Sequence, residues 1–86
     1  MNKDSETWCV YMVCCGDGTL YTGITNNLTK RIEAHNAGKD GARYTQSRRP
    51  VKLVYAEKVG SKSAAAKLEF KIKKLPRAKK EKLITG

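Results

Sequence analysis

Five residues of this 86-residue chain have types and positions suited to chemistry: Tyr11, Tyr21, Arg31, His35 and Glu69. The two tyrosines lie in runs rich in aromatic and β-branched residues, 8–15 and 19–25, separated by Gly16-Asp17-Gly18. A three-residue loop at 16–18 puts both phenols on one face of a hairpin, whereas a two-residue Asp17-Gly18 turn without a bulge puts them on opposite faces. The shared face is the expectation. Arg31 and His35, four residues apart, fall on the same side of a predicted helix as Leu28 and Ile32. A helix that needed only packing would place apolar residues there, so the guanidinium and the imidazole read as groups aimed into a site. The alternative is an arginine whose charge reaches water and a hydrogen-bonded histidine at the core's edge. Glu69 sits about 40° from Ala65, at the border of an apolar stripe, where a carboxylate is costly unless it is paired or holds a metal. A bridge to Lys73, four residues on, is the plainer alternative.

A second group is made for polyanions. Arg43, Tyr44, Arg48 and Arg49 interleave guanidinium groups with an aromatic ring, a composition suited to phosphate contact and base stacking, though also to an ordinary exposed loop. The chain carries 18 lysines and arginines against 8 acids, a net +10. Residues 1–29 hold one base and three acids, and residues 30–86 hold the rest, so the later two-thirds is a polycation. That field favours nucleic acid first and an anionic membrane surface second. The bland reading is a solvated lysine-rich surface.

The positioning elements follow from pattern. Eighty-six residues make one small domain, 1–86, with its core at about 8–84. No apolar run reaches the roughly 18 residues of a membrane span, and the start is polar, so a cytoplasmic protein without a membrane or obligate protein partner is expected. Three cysteines, Cys9, Cys14 and Cys15, cannot all pair, and they read as small buried hydrophobes rather than zinc ligands. After the hairpin, Asn26 or Asn27 caps a helix from Leu28 that stops at Asn36-Ala37-Gly38. Residues 38–50 read as a loop, 51–56 as a third strand whose run ends at Gly60, and 61 or 63 to about 75 as a second helix, with Ala65, Leu68, Ile72 and Leu75 inward. Pro76 suits the first turn of a last short helix. The fold class is α+β: a three-stranded antiparallel sheet flanked by helices in the order β-β-α-β-α-α.

The ordered set resembles the GIY-YIG nuclease domain, in particular its small single-domain bacterial members. The first signature triplet is Val10-Tyr11-Met12, the second is Tyr21-Thr22-Gly23, and Asn27-Leu28-x-x-Arg31-Ile32-x-x-His35 follows, with a helical Glu69 beyond. Each triplet alone is a weak signal, and the ten-residue spacing through Tyr11, Tyr21 and Arg31 is far more specific. The resemblance implies a phosphodiesterase using one divalent metal, Mg²⁺ or Mn²⁺. Glu69 would be the metal ligand, Arg31 would steady the phosphate, and Tyr11 and Tyr21 would orient or deprotonate the attacking water, with His35 near the nucleophile. Gly23 would allow close backbone approach, and Asn27 would cap the helix. One carboxylate suffices for Mg²⁺, which keeps several waters and takes further oxygens from phosphate.

Two positions depart from the pattern. Ile24 stands where some relatives have a lysine, leaving His35 as the candidate base, since a tyrosine is only ~0.1% ionised at pH 7. Lys79-Lys80-Glu81-Lys82 stands where many have a late asparagine. A domain without the appended DNA-targeting module of larger relatives is expected. Contacts would come from Lys62, Lys67, Lys71, Arg43 and Arg48, with low sequence specificity on DNA, or on RNA. The leading expectation is therefore a metal-dependent endonuclease. The rivals are a nucleic-acid-binding module of the same fold with weak or no catalysis, and an adaptor docking an acidic protein.

Overall fold

The strand Trp-Cys-Val-Tyr-Met-Val-Cys is apolar without alternation, which is the pattern of a strand covered on both faces. The computed structural model, which describes residues 7–37 and 49–85, places it in the middle of the sheet. The elements are β1 (Trp8–Cys14), β2 (Leu20–Thr25), α1 (Leu28–Ala37), β3 (Lys52–Gly60), α2 (Lys62–Lys73) and α3 (Arg77–Thr85). The strand order is β2-β1-β3, and both pairings are antiparallel. Expectation and structure agree in class and element order.

The hairpin loop decides the face of every residue on β2. Cys15 N donates to Thr19 O at 2.8 Å and Gly18 N to Cys15 O at 2.9 Å, closing a three-residue loop over 16–18. Gly18 has φ +86°, a conformation that favours glycine, and the Asp17 carboxylate accepts from Thr19 N (3.1 Å) and Thr19 Oγ1 (2.6 Å). The resulting register sets Tyr11 opposite Gly23 and Val13 opposite Tyr21. Side chains alternate along a strand, so Tyr11, Val13, Tyr21 and Gly23 share one face while Val10, Met12, Thr22 and Ile24 share the other.

Each face has its own core. Val10 and Met12 pack with Ala65 and Ile72 of α2, with Leu68, Leu83 and Ile84 around them. On the opposite face, Tyr11, Val13, Cys15 and Val51 pack with Tyr21 and with Leu28 and Ile32 of α1. The sheet is thus the middle layer, and α1 faces the tyrosines.

Boundaries differ from the pattern-based ones in two places. β3 starts at Lys52, one residue after the expected Val51, and ends at Gly60 as the sequence pattern does, with the exposed Glu57 and Lys58 at the sheet edge pairing with Val10 and Cys9. It bulges against β1 between Trp8 and Cys9 and between Met12 and Val13. α2 starts after its N-cap Ser61, whose hydroxyl accepts from Ala64 N, and it ends at Lys73 rather than Leu75, with Lys74 as C-cap. Cys9 and Cys15 are buried, Cys14 is partly so, and all three are free thiols. Among the described residues, no helix is long and apolar enough to cross a membrane.

Candidate active site

Asn27 begins the site by setting where α1 starts. Its Oδ1 accepts from Lys30 N at 3.2 Å, and its carbonyl takes the first helical bond from Arg31 N. Thr25 Oγ1 accepts from Asn27 N at 3.0 Å, so the chain turns directly from β2 into the helix. Arg31 and His35 then face the sheet one turn apart. At the far end of α1, the Asn36 side chain clamps the entry to β3: its Oδ1 accepts from Val51 N at 2.7 Å, and its Nδ2 donates to Val51 O at 3.2 Å.

His35 and Tyr11 are completely buried. Tyr11 Oη and His35 Nε2 lie 2.8 Å apart, and Arg31 Nε donates to Tyr11 Oη at 3.3 Å. Burial, and then the nearby Arg31 charge, hold the His35 pKa below its ordinary value, so the imidazole is neutral. With Arg31 donating to the phenol oxygen, we assign the phenol proton to the bond with Nε2, which leaves the ring proton on Nδ1. Burial pushes the Tyr11 phenol upward. Its hydrogen bond to Arg31 and the charge of that group oppose the rise, while Tyr21 and the Glu69 carboxylate add to it. Glu69 is therefore within electrostatic reach of Tyr11.

Tyr21 closes the cluster. Its ring centroid is 6.5 Å from that of Tyr11 and 5.5 Å from that of His35, the latter edge-on. Tyr21 and Arg31 are partly exposed beside the buried Tyr11 and His35, and Glu69 is partly exposed on α2. Glu69 Oε2 lies 3.3 Å from Lys73 Nζ, the i, i+4 pairing that the helix pattern allows, with 23% of the Glu69 side chain exposed. Lys73 Nζ also stands 6.0 Å over the Tyr21 ring. This lysine was missed as a site residue, although its place four residues beyond Glu69 was the available signal. Ile24, by contrast, packs with Val10 and Met12 on the opposite face from the tyrosines.

Gly23 has a steric task. A Cβ there would lie 2.6 Å from Tyr11 Oη and 2.8 Å from Tyr11 Cζ, so the phenol ring crosses β2 only because position 23 has no side chain. The remaining sequence candidates are dispersed. Arg43, Tyr44 and Arg48 lie outside the described residues. Arg49 donates through Nη1 to Asn36 O at 3.3 Å, at the end of α1. Lys62 Nζ stands 5.3 Å over the Trp8 ring, and Trp8 packs on the α2 side of the sheet, away from the tyrosines. Lys67 and Lys71 are exposed on the outer face of α2.

Among the described residues, no three His, Cys, Asp or Glu side chains come together, which suits neither a zinc nor a calcium cage. A single partly exposed carboxylate does suit Mg²⁺ or Mn²⁺, with solvent and a phosphate completing the shell.

The family model described as the GIY-YIG catalytic domain matches residues 7–82. The chain is 53% identical over 81 residues to UPF0213 protein DP2720 of Desulfotalea psychrophila, covering 94% of this chain and 74% of that one. It is 57% identical over 75 residues to a UPF0213 protein of Syntrophus aciditrophicus, covering 87% and 86%. Among solved structures it is similar to the solution NMR structure of UPF0213 protein BH0048 from Bacillus halodurans. Identity there is 40% and the TM-score 0.59, covering 92% of this chain and 83% of that one.

Proposed function

The chain belongs to the GIY-YIG family, whose members are generally nucleases, and from that premise we propose that it hydrolyses phosphodiester bonds in nucleic acid, DNA in the first instance, with a divalent cation at Glu69. The observation that carries the reading is the layered cluster. A neutral, buried Tyr11–His35 pair fixes the Arg31 guanidinium beside the partly exposed Tyr21, and Glu69 is paired with Lys73, whose Nζ stands over the Tyr21 ring.

In this reading Arg31 binds the phosphate, since a guanidinium matches phosphate oxygens with charge-assisted, paired N–H donors, and its bond to Tyr11 holds it in place. Tyr21 orients the attacking water. The water's oxygen forms the new P–O bond, the ester P–O bond opposite breaks, and one proton of that water ends on the departing oxygen. His35 is wholly enclosed and its Nε2 already accepts the Tyr11 O–H, so it acts through Tyr11 and does not touch substrate. Mg²⁺ or Mn²⁺ at Glu69 supplies neutralisation of the phosphate oxygens and of the charge on the leaving oxygen. Lys73, already beside Glu69 and Tyr21, gives that face a second cation for a polyanion.

The test is nicking of supercoiled DNA by purified protein with and without Mg²⁺ or Mn²⁺, with Arg31→Ala and Glu69→Ala alongside. Each substitution removes a group that stabilises developing charge, and a fall of about 10²- to 10³-fold is expected. A trace activity equal in wild type and both variants comes from a contaminant and refutes hydrolysis. Salt-sensitive DNA binding with no metal-dependent nicking assigns the chain to the binding-module reading instead.

A further inference from the structure

α2 carries a surface that the hydrolytic cluster does not use. Phe70 is 61% exposed, the largest apolar exposure among the described residues. It lies about 140° around the helix from the buried Ala65, well off the inward stripe. Lys74 Nζ stands 4.3 Å from its ring centroid, a distance suited to cation–π attraction. A shallow crevice of about 400 Å³, lined by Ala66, Lys67, Phe70 and Lys71, borders the ring. A lone exposed ring is ordinary on a protein surface, and what sets this one apart is its place among cations. The groups around it select the occupant. Lys67, Lys71 and Lys74 are cationic and exposed, and the only acid on α2, Glu69, is bridged to Lys73. A second copy of this +10 chain would bring like charge to that face. A nucleobase with its phosphates brings a flat π surface and negative charge together.

We propose that Phe70 is a base-stacking platform for an unpaired nucleotide of the substrate strand, with Lys67 and Lys71 on the flanking phosphates. The proposal rests on the nuclease reading and gives it a substrate class: nucleic acid with single-stranded character beside the cleaved bond. Phe70 follows Glu69 in sequence and lies about 100° around α2 from it, so a strand whose phosphate meets Arg31 and Glu69 passes outward over Lys73 to the ring. A duplex keeps its bases stacked on one another and offers no exposed face along its length.

The test measures binding of a fluorescently labelled single-stranded DNA 12-mer and of the matching duplex in EDTA, so that hydrolysis plays no part. Phe70→Ala should weaken single-strand binding about 5- to 150-fold, the range for one stacked base, and leave the duplex nearly unchanged. Phe70→Trp should retain or tighten it. Lys67→Ala and Lys71→Ala should weaken both forms and each lower the salt slope by about one. Equal single-strand affinity for wild type and Phe70→Ala overturns the platform while leaving hydrolysis to its own test. No single-strand binding at low salt overturns it as well. A wild-type dimer in sedimentation that Phe70→Ala dissociates assigns the ring to a second copy. Phe70-dependent binding without metal-dependent nicking keeps the platform and removes the hydrolysis.

Discussion

Replacing Gly23 by alanine isolates the contact on which the candidate site is built. The new Cβ would sit 2.6 Å from Tyr11 Oη, whereas ordinary contact begins at 3.4 Å, so the phenol must withdraw by about 0.8 Å. It has nowhere to go: Tyr11 is completely buried, and its oxygen is held 2.8 Å from His35 Nε2 and 3.3 Å from Arg31 Nε. Overfilling of this kind costs about 1–3 kcal/mol. The intrinsic gain from removing a glycine, about 0.4–1 kcal/mol, offsets part of it. A net loss of about 1–2 kcal/mol should appear as a fall of roughly 4–16 °C in the midpoint of thermal unfolding for a domain this size. Nicking should fall further, by about 10²-fold, because the displaced phenol carries Arg31 with it.

The decisive measurement is a double-mutant cycle by thermal or denaturant unfolding. In a Tyr11→Leu background the ring is gone, and Gly23→Ala should become neutral or stabilising. The coupling between the two positions should then be about 1–3 kcal/mol. Tyr11→Phe removes only the 2.6 Å contact and leaves Cζ at 2.8 Å, so it should relieve part of the penalty. Equal destabilisation by Gly23→Ala in the wild-type and Tyr11→Leu backgrounds would refute the steric argument.

Two further outcomes are expected. His35 has a pKa below its ordinary value when folded, so the unfolded chain binds its proton first as pH falls; stability should be full above about pH 6.5 and decline below it, by at most about 1.4 kcal/mol per pH unit. His35→Gln should flatten that slope between pH 7.5 and 5.5 in thermal unfolding, and an unchanged slope would exclude this histidine as its source. Asn36→Ala strips both backbone bonds from the buried entry of β3, at a cost of about 2 kcal/mol or roughly 8–16 °C. Hydrogen exchange should quicken at the Val51 amide in particular, and unaltered protection there would show that the clamp is dispensable.

Local signals carried the framework. Gly18 announces a left-handed loop position and Asn27 a helix cap, and each acts through neighbours within three residues. With the loop length set, strand alternation puts Tyr11 and Tyr21 on one face without further information. What the pattern could not supply depends on distant partners. Asn36 reads as a helix stop, yet it binds Val51, fifteen positions on. The reason for glycine at 23 exists only once Tyr11 lies opposite. The Glu69 carboxylate proved harder to read than its border position promised, because its pairing with Lys73 and its reach to Tyr11 coexist. Phe70 was legible in principle: an aromatic ring off the inward stripe of a lysine-rich helix asks for an explanation that pattern matching for apolar positions passes over.

Both faces of β1 are covered, and the candidate site lies under one of the covers. A domain this small has no separate scaffold behind its candidate site: Met12 anchors one half of the interior, and its neighbour Tyr11 anchors the other. Altering the tyrosine half therefore alters the foundations, and a loss of nicking in any such variant means little until its folded fraction is known. The same economy runs in reverse. Filling the tyrosine–histidine layer with well-matched hydrocarbon should raise stability while removing the candidate site.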